Sequence, residues 1–136
     1  MDSGIHDATL VATEALNFLP ETYRIYSSVA RRAHDTCHIF AAILNFPIND
    51  IIFLEQLYTF EGSMLEKIIR SLGDENENVM VFGHNEAITD LVNKLGSIAI
   101  DNVPTSGFIM IEFNANSWSS IQKGTTLKTI FPRDLR

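Results

Sequence analysis

Gly83-His84-Asn85 is the stretch whose residue types and order come closest to handling an anion. The apolar run Val79-Met80-Val81-Phe82 leads into it, and Ile88, Leu91, Val92 and Leu95 follow at spacings of three and four. That pattern reads as a buried strand, a tight turn and an amphipathic helix. A histidine at such a corner sits at the carboxyl edge of a sheet and at the amino end of a helix. Unpaired N–H groups and the helix dipole both favour a bound anion there. Arg31 and Arg32 follow Ser27-Ser28 at a second corner of this kind. An arginine so placed can grip two phosphate oxygens with its planar fork. Thr105 and Ser106 lie in the turn cluster Asn102-Val103-Pro104-Thr105-Ser106-Gly107, where backbone N–H groups can also meet an anion.

Other candidates have plainer readings. His34 and His38 are spaced i, i+4 and offer two metal ligands, but no companion motif supplies a third, so no metal site is expected. His6 reads as helix surface. Glu55, Glu61 and Glu66 read as a solvated face around a loop and a helix start. There is no G-x-x-x-x-G-K-[ST] loop, no G-x-S-x-G elbow and no paired-cysteine zinc pattern.

The elements that must position these residues follow from periodicity and punctuation. Asp2 and Ser3 are suited to cap a first helix, with Ile5, Ala8, Val11, Ala12, Ala15, Leu16 and Leu19 on one face and Pro20 as its stop. A strand is expected over 23–26, with Ser27-Ser28 as the turn after it. A helix follows over 30–44, a strand over 51–54, and a helix after Gly62-Ser63 with Met64, Leu65, Ile68, Ile69 and Leu72 inward. After the organising strand and helix come strands over 108–113 and 127–131, and a short one over 118–121. Alternation of strand and helix predicts an α/β fold with helices on both faces of a mostly parallel sheet. The late strands have no helices between them, so that edge is expected to be antiparallel.

The chain has 136 residues, 46% of them apolar and 20% charged, which fits one globular domain over 1–136. A net charge of −7 is a poor match to a nucleic-acid backbone. No apolar run approaches membrane-spanning length, and the start shows no secretory leader. The single cysteine, Cys37, excludes an internal disulfide and suits a reducing compartment, so a cytoplasmic location is expected.

Taken together, the motifs resemble a family. Ser27-Ser28-Val29-Ala30-Arg31-Arg32-Ala33-His34-Asp35-Thr36 resembles the Ser-Ser-Pro-x-x-Arg-Ala-x-x-Thr segment of the histidine phosphatase superfamily, which has the phosphoglycerate-mutase-like fold. Residues 79–85 resemble its strand ending in Gly-His-Asn. The 102–107 turn, Ile111-Glu112-Phe113, Trp118 and Phe131-Pro132-Arg133 are similar to its small SixA-like phosphohistidine phosphatase branch. The resemblance implies a three-layer α/β/α sandwich and a pocket of two arginines and two histidines at the carboxyl edge of the sheet. Arg32 maps to the second arginine and His84 to the second histidine; Thr105 and Ser106 are expected to bind phosphate beside them through their turn. It also implies hydrolysis through a phosphohistidine intermediate, with no metal and no cofactor. The substrate is expected to be a phosphorylated protein or a small phosphate ester.

One departure matters. The family's first strand ends in Arg-His, whose histidine is the nucleophile, and no Arg-His pair occurs in this chain. The first strand is therefore expected to be missing and the domain N-terminally incomplete. Three accounts fit: an upstream segment lies before Met1, the chain binds phosphorylated ligands without turnover, or a partner chain supplies the strand. The first is preferred, because a lost central strand leaves both neighbours with unpaired backbone groups. The oligomeric state is not legible. The function alternative to a phosphatase is an inactive phosphate-binding or interaction module.

Overall fold

The computed structural model describes residues 3–136. Four helices appear: α1 (Ser3–Ala15), α2 (Arg31–Leu44), α3 (Gly62–Arg70) and α4 (Asn85–Leu95). Five strands accompany them: β1 (Arg24–Ser28), β2 (Ile52–Leu54), β3 (Val79–Phe82), β4 (Phe108–Glu112) and β5 (Thr125–Ile130). They form two sheets. One is parallel with order β2-β1-β3, and the other is the antiparallel pair β4-β5. The α/β class, the parallel sheet and the antiparallel edge match the reading of the sequence.

β1 is the centre of the parallel sheet, and its alternating residues define the layers. Ile25 joins the cluster made with α1 and α2, including Ala8, Val11, Ala12, Cys37, Phe40 and Ala41. Its neighbour Tyr26 joins the opposite cluster, with Leu65 and Ile69 of α3 and Ala87 and Leu95 of α4. Successive strand side chains point to opposite faces, so one strand holds both helical layers. β3 alternates in the same way: Met80 and Phe82 pack on the first cluster, and Val79 and Val81 on the second. Full burial of an Ile or Leu such as Ile25, Leu57 or Leu65 is worth about 1.5–3 kcal/mol each.

Several boundaries move. Asp2 lies outside the described residues, and Ser3 is already the first helical residue. α1 stops at Ala15, and Leu16 is exposed, because the chain tightens into a turn in which the Phe18 N–H donates to the Ala15 carbonyl. Ser27 and Ser28 are not a turn. They are fully buried in β1, paired with Phe53 and Leu54 of β2. Their hydroxyls are satisfied locally: Ser27 Oγ donates to the Ser28 carbonyl, and Ser28 Oγ accepts from the Ala30 N–H at 3.1 Å. A small side chain that bonds its own backbone fits a buried strand end. Met64 turns outward. Residues 118–120 form a 3-10 turn rather than a strand, held by Trp118 Nε1–H donating to the Asn76 carbonyl.

The helices on the second face are clamped together. Gly62 lies so close to α4 that an added Cβ would collide with the Cβ of Asp90. Glu66 pairs with Arg70 at 2.8 Å and with Lys94 of α4 at 2.6 Å, and its side chain is only 12% exposed. These two cations hold the Glu66 carboxyl below its ordinary range, the Lys94 bond first and the Arg70 bond second. Glu66 is thus a buried strut and not the solvated residue expected. Arg70 carries the strut further, donating to the carbonyls of Ser119 and Ile121.

Candidate functional site

The carboxyl ends of β1 and β3 each break into a helix. Ala30 and His84 take the N-cap positions of α2 and α4 in extended conformation, and neither makes a side-chain cap. The first intrahelical bonds run from the His34 N–H to the Ala30 carbonyl and from the Ile88 N–H to the His84 carbonyl. The N–H groups of the first helical turns before those donors are left for another acceptor. Two helix dipoles of the same sense therefore meet at one edge of the sheet.

A cavity of about 1040 Å³ opens at this edge, and Arg32, His84, Thr105 and Ser106 all line it. Arg32 is exposed and has no ion-pair or hydrogen-bond partner among the described residues. Arg31 differs: its side chain is 96% exposed, it stands 3.8 Å from Asp35, and it is not part of the cavity wall. Of the two adjacent arginines, only Arg32 lines the cavity.

His84 is held by aromatic rings. Its ring centroid is 4.9 Å from Tyr58 and 4.5 Å from Phe60. Nε2 is buried without a hydrogen-bond partner among the described residues. An unpaired buried nitrogen of this kind costs about 1–3 kcal/mol, which an oxygen entering the cavity would offset. Tyr58 and Phe60 are themselves more than half exposed, at 56% and 54%. Reading the sequence missed them. Their only signal was two aromatics in a polar loop just past the carboxyl end of a strand, the edge where ligands bind.

Thr105 and Ser106 are placed by a separate scaffold. Asn93 of α4 donates to the Ile100 carbonyl and accepts from the Ile100 N–H, and Thr89 Oγ1 accepts from the Val103 N–H. The loop is thereby strapped to α4. Asn85 Nδ2–H then donates to Thr105 Oγ1 at 3.2 Å, leaving the Thr105 hydroxyl proton free to donate. Ser106 has φ 67°, in the left-handed region, within a turn closed by the Gly107 N–H on the Pro104 carbonyl. A non-glycine residue held there stores about 1 kcal/mol or more of strain.

The local electrostatics run against the net charge. Around the anion edge stand Arg32 and the two helix ends, with Glu86 as the nearby carboxylate on the wall. Asp74, Glu77 and Glu112 also line the cavity, but they belong to the segments before β3 and at the end of β4, so they lie at its far end. His34 and His38 are elsewhere. Their rings are 4.1 Å apart and both stack against Phe53, with His38 Nδ1 on the His34 carbonyl. Among the described residues, no group of three or more His, Cys, Asp or Glu side chains is arranged to hold a metal ion. His6 is exposed on α1.

No protein-family model matches the sequence, and no curated protein matches it. Solved structures do match its fold. The protein histidine phosphatase SixA complexed with tungstate superposes with a TM-score of 0.81 at 21% identity, over 100% of this chain and 85% of that one. A candidate phosphohistidine phosphatase SixA from Agrobacterium tumefaciens gives 0.74 at 20% identity, over 96% and 80%. Another, from Nakamurella multipartitia, gives 0.77 at 14% identity, over 97% and 83%. The chain therefore has the fold of the SixA phosphohistidine phosphatases, as its motifs implied.

Proposed function

We propose that this protein is a phosphatase acting on phosphorylated protein side chains, phosphohistidine among them. One observation carries the reading: Arg32, His84 and Thr105, from three separate segments, line one cavity where the amino ends of α2 and α4 meet. The fold adds support, because a structure that shares it binds tungstate, a tetrahedral oxyanion. In this reading Arg32 takes two phosphoryl oxygens with its fork, and the helix N–H groups and the Thr105 hydroxyl take others. His84 Nε2 bonds the transferring group. Positioning and charge stabilisation supply the catalysis, with no metal or other cofactor. The cavity is open, which suits a protein-borne phosphoryl group better than a free sugar phosphate. A single domain over 1–136 and a cytoplasmic setting belong to the same reading; among the described residues no helix is long and apolar enough to cross a membrane.

A second reading has its own observation. His84 is the only histidine among the described residues that lines the cavity. A phosphohistidine route needs another imidazole for the attack on phosphorus. Taken alone, residues 3–136 bind the oxyanion and leave its transfer incomplete, which is the behaviour of a phosphate-binding module. The test is hydrolysis of para-nitrophenyl phosphate with a chelator present, run beside tungstate binding. The phosphatase reading expects tungstate binding together with turnover of the ester above the background rate, both lost in Arg32→Ala and His84→Ala; tungstate binding with turnover at the background rate is what the second reading expects and would overturn the first. Hydrolysis that survives both Arg32→Ala and His84→Ala would remove the site from any role in turnover, and unaltered tungstate binding in both variants would overturn the assignment.

A further inference from the structure

β1, β2 and β3 are parallel, so all three deliver their carboxyl ends to the anion edge. β1 ends just before Val29 and β3 just before Gly83-His84. β2 ends at Leu54 and releases residues 55–61, which lead into α3. That segment is pinned along its length. The Tyr58 N–H donates to the Glu55 carbonyl at 2.9 Å, and Leu57 is buried at the bend. The Glu61 N–H donates to Thr59 Oγ1 at 3.1 Å, and Gly62 beds closely against α4. With Leu57 anchored inward, the rings of Tyr58 and Phe60 stand exposed on either side of Thr59.

Apolar side chains exposed singly need no explanation, but these are gathered. Nine large apolar side chains are exposed among the described residues, and four of them, Val29, Tyr58, Phe60 and Met64, belong to this edge. Met64 stands in the first turn of α3. Phe60 alone of the four lines the cavity, on the wall it shares with His84. Its ring is 4.5 Å from the His84 ring. Tyr58 meets Phe60 at 6.2 Å and 85°, an edge-to-face contact that fixes the ring's orientation.

The phosphoryl oxygens have no use for such a surface. Arg32, the helix N–H groups, Thr105 and His84 Nε2 are their partners. An oxygen bonded to Nε2 lies about 3 Å from it, so the group that carries the phosphoryl comes within contact range of the Phe60 ring. An aliphatic carrier would bury area there and lose rotamer freedom. An imidazole carrier would bring a polar ring edge that needs a partner once covered, and Val29, Phe60 and Met64 offer none. A phenyl ring has no polar atom of its own, is rigid, and pairs with Phe60 through the ring quadrupoles.

We propose that Phe60 is a specificity-determining residue that packs on the carrier of the phosphoryl group and selects an aryl phosphate, of which the phosphorylated tyrosine side chain is the protein-borne form. The inference rests on the anion reading of Arg32 and His84 and adds the carrier to it. A ring pair of this kind strengthens binding about two- to tenfold beyond the area it buries. The preference is a property of binding, so it holds whether or not the bound group is turned over.

Stable phosphonates test it by calorimetric titration of the full chain, at a pH where every probe is a dianion and with tungstate titrated alongside. Phenylphosphonate is compared with cyclohexylphosphonate, which matches its bulk but is neither flat nor aromatic, and with a triazolylphosphonate that stands in for an imidazole carrier. Phenylphosphonate is expected to bind about two- to tenfold tighter than either. Its advantage over cyclohexylphosphonate should fall to about one in Phe60→Leu and persist in Phe60→Tyr. This ratio cancels any shift of His84, because both probes present the same phosphonate. Nuclear Overhauser contacts between the bound phenyl protons and the Phe60 ring are expected in the wild-type chain, a readout that does not require the variant to fold. Tungstate binding with equal affinity for the phenyl and cyclohexyl probes overturns the role of Phe60 and leaves the anion site standing. So does an advantage that survives in Phe60→Leu, or the absence of the Overhauser contacts. Tighter binding of the triazole overturns the aryl assignment in favour of an imidazole carrier. Failure of tungstate and of every phosphonate to bind overturns the anion reading and this inference with it.

Discussion

Arg31 and Arg32 are adjacent, identical in chemistry and both exposed, so a pair of single substitutions separates the anion site from general surface charge. Arg32 lines the cavity and has no partner to lose, whereas Arg31 points away and stands 3.8 Å from Asp35. A charge-assisted bond is worth about 1.5–3 kcal/mol. Arg32 is exposed, so the lower part of that range applies, about 1.5–2 kcal/mol, or roughly a 10- to 30-fold loss of affinity. Arg31→Ala removes a charge outside the wall and frees Asp35, which together should change affinity less than about threefold. The assay is calorimetric titration with tungstate at neutral pH, low salt and with a chelator. Raising the salt should weaken the wild-type chain more than Arg32→Ala, since the variant has lost the screened charge. Equal losses in the two variants would mean that only the summed positive charge matters, and the geometric assignment of Arg32 would fall.

Glu66→Gln should lower stability by about 1–2 kcal/mol in urea unfolding, because Arg70 and Lys94 lose their shared carboxylate. The Glu66 carboxyl is held below its ordinary value of 4.5, so its contribution is present above that pH and disappears as pH falls through the lower folded value. The gap between wild type and variant should therefore close in acid; a gap that stays constant down to pH 3 would refute the strut. Cys37 is fully buried, and burial pushes its thiol up to about 11. At pH 8 it should react with a disulfide reagent at least a hundredfold more slowly in the folded chain than in urea, and fast labelling of the native protein would contradict the burial.

How much was legible in advance differs by element. The strand and helix around Gly83-His84-Asn85, the corner before Arg32, and the α/β class all came from local signals: apolar periodicity, a glycine before a polar turn, and strand–helix alternation. Local signals suffice there because each depends on residues within one or two turns of chain. The Ser27-Ser28 segment was misread because serine's own hydrogen-bonding preference argues for a turn, and only the flanking strands β2 and β3 make it a buried strand end. Glu66 was misread for the same kind of reason: its partner Lys94 is far along the chain and meets it only where α3 packs on α4.

The sequence by itself determined the chemistry offered, one corner with an arginine, one with a histidine and one polar turn, and also that no Arg-His pair accompanies them. Tertiary structure decided which arginine faces the cavity, that Tyr58 and Phe60 enclose His84, and that β3 and β4 lie in separate sheets. The reason is physical. Side-chain type and spacing are properties of the chain, whereas facing, enclosure and strand pairing arise from contacts between segments distant in sequence, which no local pattern encodes.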